Sequence, residues 1–283
     1  MSPLVKIRSE RDQMSAVERR IADFILENSH LLRDYSSQQL ANALGISQSS
    51  VVKFTQKLGF KGYPDLKYSI GEAIARSGDE AGSTVEGSGR ATIGNAAQLW
   101  QRKSEAEEAT RLINPPDSVQ SAARTIDKSG RNGRVFLIGL GEDDIYARGF
   151  AMRLSLLGIL TVHNFDTARM TANASAAGSG DVLVVFSEHG NHPALTKIAR
   201  YFRERRGLVI SVTRHSANPL RAIADQALLV SAHDELAYVQ PLLYQSALQH
   251  LLDRIFIALC EMNDQRQALL LANLERIQQM LEP

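Results

Sequence analysis

Over the first 76 residues, apolar side chains return every three or four positions. Val17, Ile21, Phe24 and Ile25 form one such stripe, and Ser15 with Glu18 three residues later has the spacing of a capping box, so a helix is expected to begin there. In SQQLANALGISQSSVVKFTQ, residues 37–56, Leu40, Ala41 and Leu44 make one helical face, while Val51, Phe54, Thr55 and Leu58 make another. Between them Gly45 stands where a turn needs a positive φ, Ile46 plugs that turn, and Ser47 is placed to cap the next helix. The pattern predicts a helix-turn-helix whose second helix is offered to a DNA major groove.

After residue 134 the period changes. VFLIGL (135–140), ILTV (159–162), DVLVVFS (181–187), GLVISVT (207–213) and QALLVS (226–231) are short apolar and β-branched runs, separated by segments long enough for crossover helices. Their near-continuous apolarity implies burial on both faces. Helical stretches at 96–112 and 118–128 precede them, and the chain from Gln240 onward is helical again. The predicted fold is an all-α helix-turn-helix domain joined to an α/β domain, a doubly wound five-stranded parallel sheet flanked by helices. Between the two regimes lies SGDEAGSTVEGSGR (77–90), in which seven of fourteen residues are Gly or Ser. It reads as a flexible linker. The expected division is 1–76 for DNA binding, 77–95 as linker, and 96–283 for effector binding and oligomerisation.

Composition narrows the setting. With 283 residues and 44% apolar side chains the chain is globular and long enough for two domains. The single cysteine, Cys260, cannot form an internal disulfide, no apolar run approaches the ~18 residues of a membrane span, and the first residues lack a signal-like apolar segment. These features lead to the expectation of a cytoplasmic protein without membrane partners. The net charge of +1 conceals an asymmetry: residues 1–76 carry +3 and the remainder −2, which permits a polyanionic partner at the first domain.

The outward positions of the second helix fit that partner. Gln48, Ser49, Ser50, Lys53, Gln56 and Lys57 are polar or basic without one acid, and Ser37, Ser47, Lys61 and Lys67 adjoin them. Hydroxyls and amides suit base edges or phosphates, and lysines suit phosphates. The competing reading is an ordinary helical hairpin with a solvated face.

The run SSVVKFTQKLGFKGYPDLK, residues 49–67, resembles the end of the N-terminal domain of RpiR-type bacterial transcriptional regulators, where a helix-turn-helix precedes a Leu-Gly-Phe-x-Gly-aromatic turn and a short helix ending in Lys. The resemblance covers residues 15–72 and extends to 134–232 through the strand pattern, the GLG turn and NPLRAIAD (218–225). It implies a sugar isomerase (SIS) domain that commonly senses a phosphosugar, and control of carbohydrate metabolism genes. A double-stranded operator read by two heads implies a homo-oligomer, a dimer or tetramer. No cofactor and no catalytic residue are implied.

In such sheets ligands sit at the carboxyl ends of the strands. Those ends are residues 139–144, 163–166, 187–192, 213–216 and 233–235, with Gly139, Gly141, Asp143, Ser187, His189, Gly190, Asn191 and His192 as effector-binding candidates. The chain departs from the family here. Asp143 stands where a small hydroxyl is usual, and His189 and His192 replace a Ser and a Thr in the third loop. Two like charges ~4 Å apart near a surface repel by about 4 kcal/mol, so Glu142, Asp143 and Asp144 disfavour a simple phosphate cradle. Three readings stay open. The acids cap and stabilise the helix beside a weak pocket; or a sugar-type ligand keeps its phosphate near Ser187, Asn191 and Gly190, with His189 and His192 offsetting the acids; or His163, His189, His192, His215 and His233 join Asp143, Asp166 and Glu188 in a metal or pH-sensitive cluster. An alternative function is a phosphosugar isomerase of the same fold, with Glu188, Glu235 or His250 as base.

Overall fold

A computed structural model describes residues 3–28, 32, 35–79, 95–234, 236–262 and 264–282. The chain forms two compact units, Met1–Ala109 with Ser231–Leu243, and Thr110–Val230 with Tyr244–Pro283.

The first unit holds α1 (Pro3–Glu10), α2 (Ala16–Glu27), α3 (Ser37–Leu44), α4 (Gln48–Lys57) and α5 (Tyr63–Asp79). The capping box expected at Ser15 and Glu18 starts α2. A second box, Ser36 with Gln39, starts α3 one residue before the stretch that pointed to it. Ile7, Ile21, Ile25, Leu40, Ala41, Val51, Phe54 and Leu66 close into one core, while Val17 at the outer edge of the expected stripe stays 39% exposed. Helix α5 runs to Asp79, three residues past the expected domain end, carrying Ser77 and Gly78 in its last turn. The rest of the expected linker, 80–94, lies outside the described residues.

After α6 (Asn95–Ile113) and α7 (Pro116–Asn132) come β1 (Val135–Ile138), α8 (Glu142–Leu156), β2 (Thr161–Asn164), α9 (Thr167–Ser175), β3 (Val182–Phe186), α10 (Pro193–Glu204), β4 (Leu208–Arg214), α11 (Pro219–Ile223), β5 (Gln226–Val230), α12 (Gln240–Glu261) and α13 (Asp264–Leu281). All five strands pair in parallel, in the order β2-β1-β3-β4-β5. One sheet face buries Phe136, Ile138, Leu183, Val185 and Val209 against Met170 and Ala174 of α9 and Leu195, Ile198 and Phe202 of α10. The rings of Phe136 and Phe202 meet edge-on at 5.2 Å. Every residue of β1 and β3 is buried, as the unbroken apolar runs required.

Edge strand β2 begins two residues later than its apolar run. Gly158 takes φ 71° and the Ile159 amide donates to the Leu154 carbonyl, so the turn sends Ile159 into the core before pairing starts at Thr161. Helix α7 starts at Pro116, earlier than expected, since proline fits a first helical position where no amide is needed.

Candidate functional site

The helix-turn-helix is built from its caps inward. Gly45 ends α3 in the left-handed region, φ 61° and ψ 40°, and the Ile46 amide reaches back to the Ala41 carbonyl at 3.0 Å. Ser47 then caps α4 by accepting from the Ser50 amide at 3.2 Å. With Val51, Phe54, Thr55 and Leu58 buried, the opposite side of α4 is fixed outward. Gln48, Ser49, Lys53, Gln56 and Lys57 are exposed there, as are Ser47 and Lys61, whereas Ser50 and Ser37 are half-buried. Ser37 accepts from the Gln48 amide nitrogen at 2.8 Å, which ties α3 to the start of α4. Lys57 is engaged by both oxygens of Glu18 at 2.9 Å. Slight burial raises the Glu18 carboxyl, and Lys57 and Ser15 outweigh it, leaving the group below the usual range. Lys67 donates to the Tyr35 carbonyl at 3.2 Å.

In the second unit the chain order reverses between β1 and β3, so the crevice beyond their carboxyl ends is the switch point where α/β sheets place ligands. Gly141 enters α8 at φ 61° and ψ −127°, a conformation reserved for glycine. Gly139 lies so close beneath the first turn that an added Cβ would come within 2.6 Å of the Asp143 carbonyl. The N-cap Gly141 offers no side chain, and the three acids Glu142, Asp143 and Asp144 fill the first turn.

Asp143 does not cap α8. Its Oδ2 accepts from the Glu188 amide at 3.1 Å, taking up a donor of the loop after β3. Burial pushes its carboxyl up to about 6; the Glu188 amide and His189 oppose the rise, and the charges of Glu188 and Glu142 add to it. Glu188 is in turn held by Arg214 at the end of β4, whose Nε and Nη2 donate to Oε1 at 2.8 and 2.7 Å. The Arg214 guanidinium lies 5.4 Å from the ring centre of Tyr244 on α12. Tyr244 is 3% exposed and, among the described residues, its hydroxyl has no hydrogen-bond partner. Burial pushes that phenol well up, with the charges of Asp143 and Glu188 adding to it. Tyr146, one turn along α8, is pushed to about 12, first by burial and then by Glu142, Asp143 and Glu188.

The neighbouring acid has a separate task. Asp144 is buried and bonded to His163 Nε2 of β2 at 2.7 Å and to Arg148 at 3.3 Å. In the loop after β3, Ser187 is buried, Gly190 takes φ 62° against Asn218, and His189, Asn191 and His192 are exposed. His192 is the N-cap residue of α10 but makes no side-chain cap bond. The expected residues thus converge at Gly139, Gly141, Asp143, Ser187 and Gly190. Arg214, Tyr146 and Tyr244 were missed; a lone arginine closing an apolar strand was a usable signal for the first, and the tyrosines gave none.

The histidines do not assemble. His163 goes to Asp144, His215 is buried, and His233 belongs to the other unit, where it lies 3.9 Å from Asp23 beside a cavity of about 490 Å³. Among the described residues no group of three or more His, Cys, Asp or Glu is arranged to hold a metal. Glu235 lies outside the described residues.

Residues 1–77 match the model of the helix-turn-helix domain of the rpiR family, and residues 130–258 match that of the SIS domain. The chain is 30% identical over 266 residues to the uncharacterised HTH-type transcriptional regulator YfhH of Escherichia coli K12, covering 92% of this chain and 93% of the relative. The chain belongs to the RpiR family of transcriptional regulators. The fold of this regulator also resembles the Vibrio vulnificus NanR protein complexed with ManNAc-6P, with a TM-score of 0.62 at 20% identity over 99% of this chain and 100% of that one. The sugar isomerase domain of an RpiR transcription factor from Sphaerobacter thermophilus aligns at TM-score 0.57 and 18% identity, over 65% of this chain and 98% of that one. Among the described residues no helix is long and apolar enough to cross a membrane.

Proposed function

We propose that this regulator reads a duplex operator with α4 and senses a carbohydrate derivative at the strand-end crevice between β1 and β3, working in the cytoplasm as a homo-oligomer, a dimer or tetramer. The observation that carries the DNA reading is the exposed, acid-free face of Gln48, Ser49, Lys53 and Gln56 on a helix whose other face is locked into a core. Lys53 and Lys61 supply phosphate contacts, the amides and hydroxyls address base edges, and Ser37 positions Gln48. Self-association provides the second reading head that a two-fold operator requires.

The effector reading rests on family membership and on the switch-point crevice with its cluster of Asp143, Ser187, Glu188, Gly190 and Arg214. The V. vulnificus NanR structure holds ManNAc-6P, which makes carbohydrate derivatives the class to screen. We favour sensing over isomerisation. A base must be free to meet the substrate carbon, whereas Glu188 is clamped by Arg214, and His250 lines a different cavity with Pro116, Val119 and Asp253. The test pairs fluorescence anisotropy on fragments upstream of the protein's own gene and its neighbours with isomerase assays on common phosphosugars. Specific binding modulated by a carbohydrate derivative, without turnover, is the expected result; turnover without specific DNA binding reverses the reading.

A further inference from the structure

We infer that the strand-end crevice accepts a carbohydrate bearing a protonated amine and no phosphate; this rests on the reading of that crevice as the effector site. Two groups that would seat an anion between β1 and β3 are already engaged. The Glu188 amide, a donor at the mouth of the loop after β3, is occupied by the Asp143 carboxylate. Arg214, the cation of the cluster, is fixed on Glu188 through two of its nitrogens and by its own amide, which donates to the Glu188 carbonyl at 2.7 Å. The start of α8 carries Glu142, Asp143 and Asp144, whose charges oppose the attraction of its amides for a phosphate. Counting Glu142, Asp143 and Glu188 against Arg214, the crevice is a site of net negative charge. A phosphate brought beside Asp143 meets the repulsion of these carboxylates, and an ammonium meets two of them from different elements.

A second observation points to a ligand independently of the acids. The Tyr244 hydroxyl is almost wholly buried and unpartnered among the described residues, with Arg214 over its ring and the charges of Asp143 and Glu188 acting on it. A buried hydroxyl left without a partner is costly, and native structures keep such groups where something else completes them. A hydroxyl of the ligand, or a carboxylate turned by the ligand's ammonium, gives the phenol the acceptor it lacks. Ser187, buried at the end of β3, adds a further hydroxyl beside the loop. The site therefore combines two carboxylates for an amine with two hydroxyls for a sugar frame.

Protonation gives the proposal a directional readout. Asp143 is faced by Glu142 and Tyr146 of its own helix, by Glu188 and His189 of the loop after β3, and by Tyr244 of α12. With its carboxyl raised, amine binding strengthens as pH climbs from 5 to 7, while any phosphate binding weakens over the same range.

The experiment is isothermal titration calorimetry on the full chain with glucosamine, galactosamine and mannosamine, each beside its 6-phosphate, at pH 5, 6 and 7. The expected result is at least tenfold tighter binding of one free amine than of its phosphate at pH 7. Asp143→Asn should then weaken that amine about tenfold and flatten its pH dependence, and Tyr244→Phe should weaken it severalfold. Tighter binding of a 6-phosphate, or an amine affinity that Asp143→Asn leaves unchanged, overturns the inference. If the 6-phosphate binds and Arg214→Met abolishes it, the effector site stands and only the amine preference falls. Binding of none of the six compounds, in a preparation that still binds DNA, sinks both.

Discussion

Helices α4 and α8 begin in opposite ways. Helix α4 opens with Gln48, Ser49 and Ser50 behind a Ser47 cap and holds no acid in its first turn; α8 opens with Glu142, Asp143 and Asp144 behind a bare Gly141. A helix start attracts anions through free amides and the positive end of its dipole. In α4 no acid opposes that attraction and Lys53 reinforces it, which suits a polyanion. In α8 it is cancelled by the chain's own carboxylates, one of which also takes the amide of the loop after β3. The same backbone device thus serves opposite ends, and the side chains of one turn decide which.

The contrast breaks most completely at Gly45. Valine there must adopt φ 61° with a branched side chain, at a cost of about 1–3 kcal/mol, and the turn that aims α4 is lost. DNA binding should fall below detection in gel shifts while the sheet unit keeps its circular dichroism.

At α8 the expected change is in stability. Burial pushes the folded carboxyl of Asp143 up to about 6 from the ordinary 3.8, so the penalty for ionising it is absent below pH 4 and complete above pH 6. At about 1.4 kcal/mol per unit the ceiling is about 3 kcal/mol, and partial solvent access brings it to about 1–2 kcal/mol. Asp143→Asn, which keeps an acceptor for the Glu188 amide, should therefore unfold at higher denaturant than the parent at pH 7 and match it at pH 4. An equal gain at both pH values would show that charge is not the cause.

The two lysines of α4 sharpen the comparison further. Lys53→Ala should lower affinity for all DNA by about 1 kcal/mol and reduce the salt slope by about one. Lys57→Ala should do less, because its ammonium is shared with Glu18. Equal losses would mean that DNA pulls Lys57 away from that partner. The smallest effect is expected from Tyr244→Phe, which removes an unpartnered buried hydroxyl and should raise stability of the unliganded protein by up to about 1 kcal/mol in chemical denaturation.

Much of this was legible in the chain. Local rules carried the first unit: Ser15 with Glu18, Gly45 at a left-handed turn and Ser47 as cap each act within four residues, so pattern alone locates them. The central strands β1, β3 and β4 were legible because burial on both faces leaves unbroken apolar runs, and the half-buried edge strand β2 slipped because Ile159 is buried without pairing. The crevice was legible in its loops and not in its partners. Asp143 reads as a helix cap until the fold brings Glu188, 45 residues away, to its carboxylate, and nothing near Tyr244 announces that Arg214 will lie over its ring. Long-range pairing of this kind leaves no periodic trace.

The claim beneath the whole account is that α4 lies on duplex DNA. It is tested most directly by titrating the full chain into the labelled fragment upstream of its own gene and into a scrambled fragment of equal length, at several salt concentrations. The account predicts a preference of at least a hundredfold for one genomic fragment, with affinity that falls steeply as salt rises. Equal, salt-insensitive binding to both, or none to any fragment tested, would contradict it.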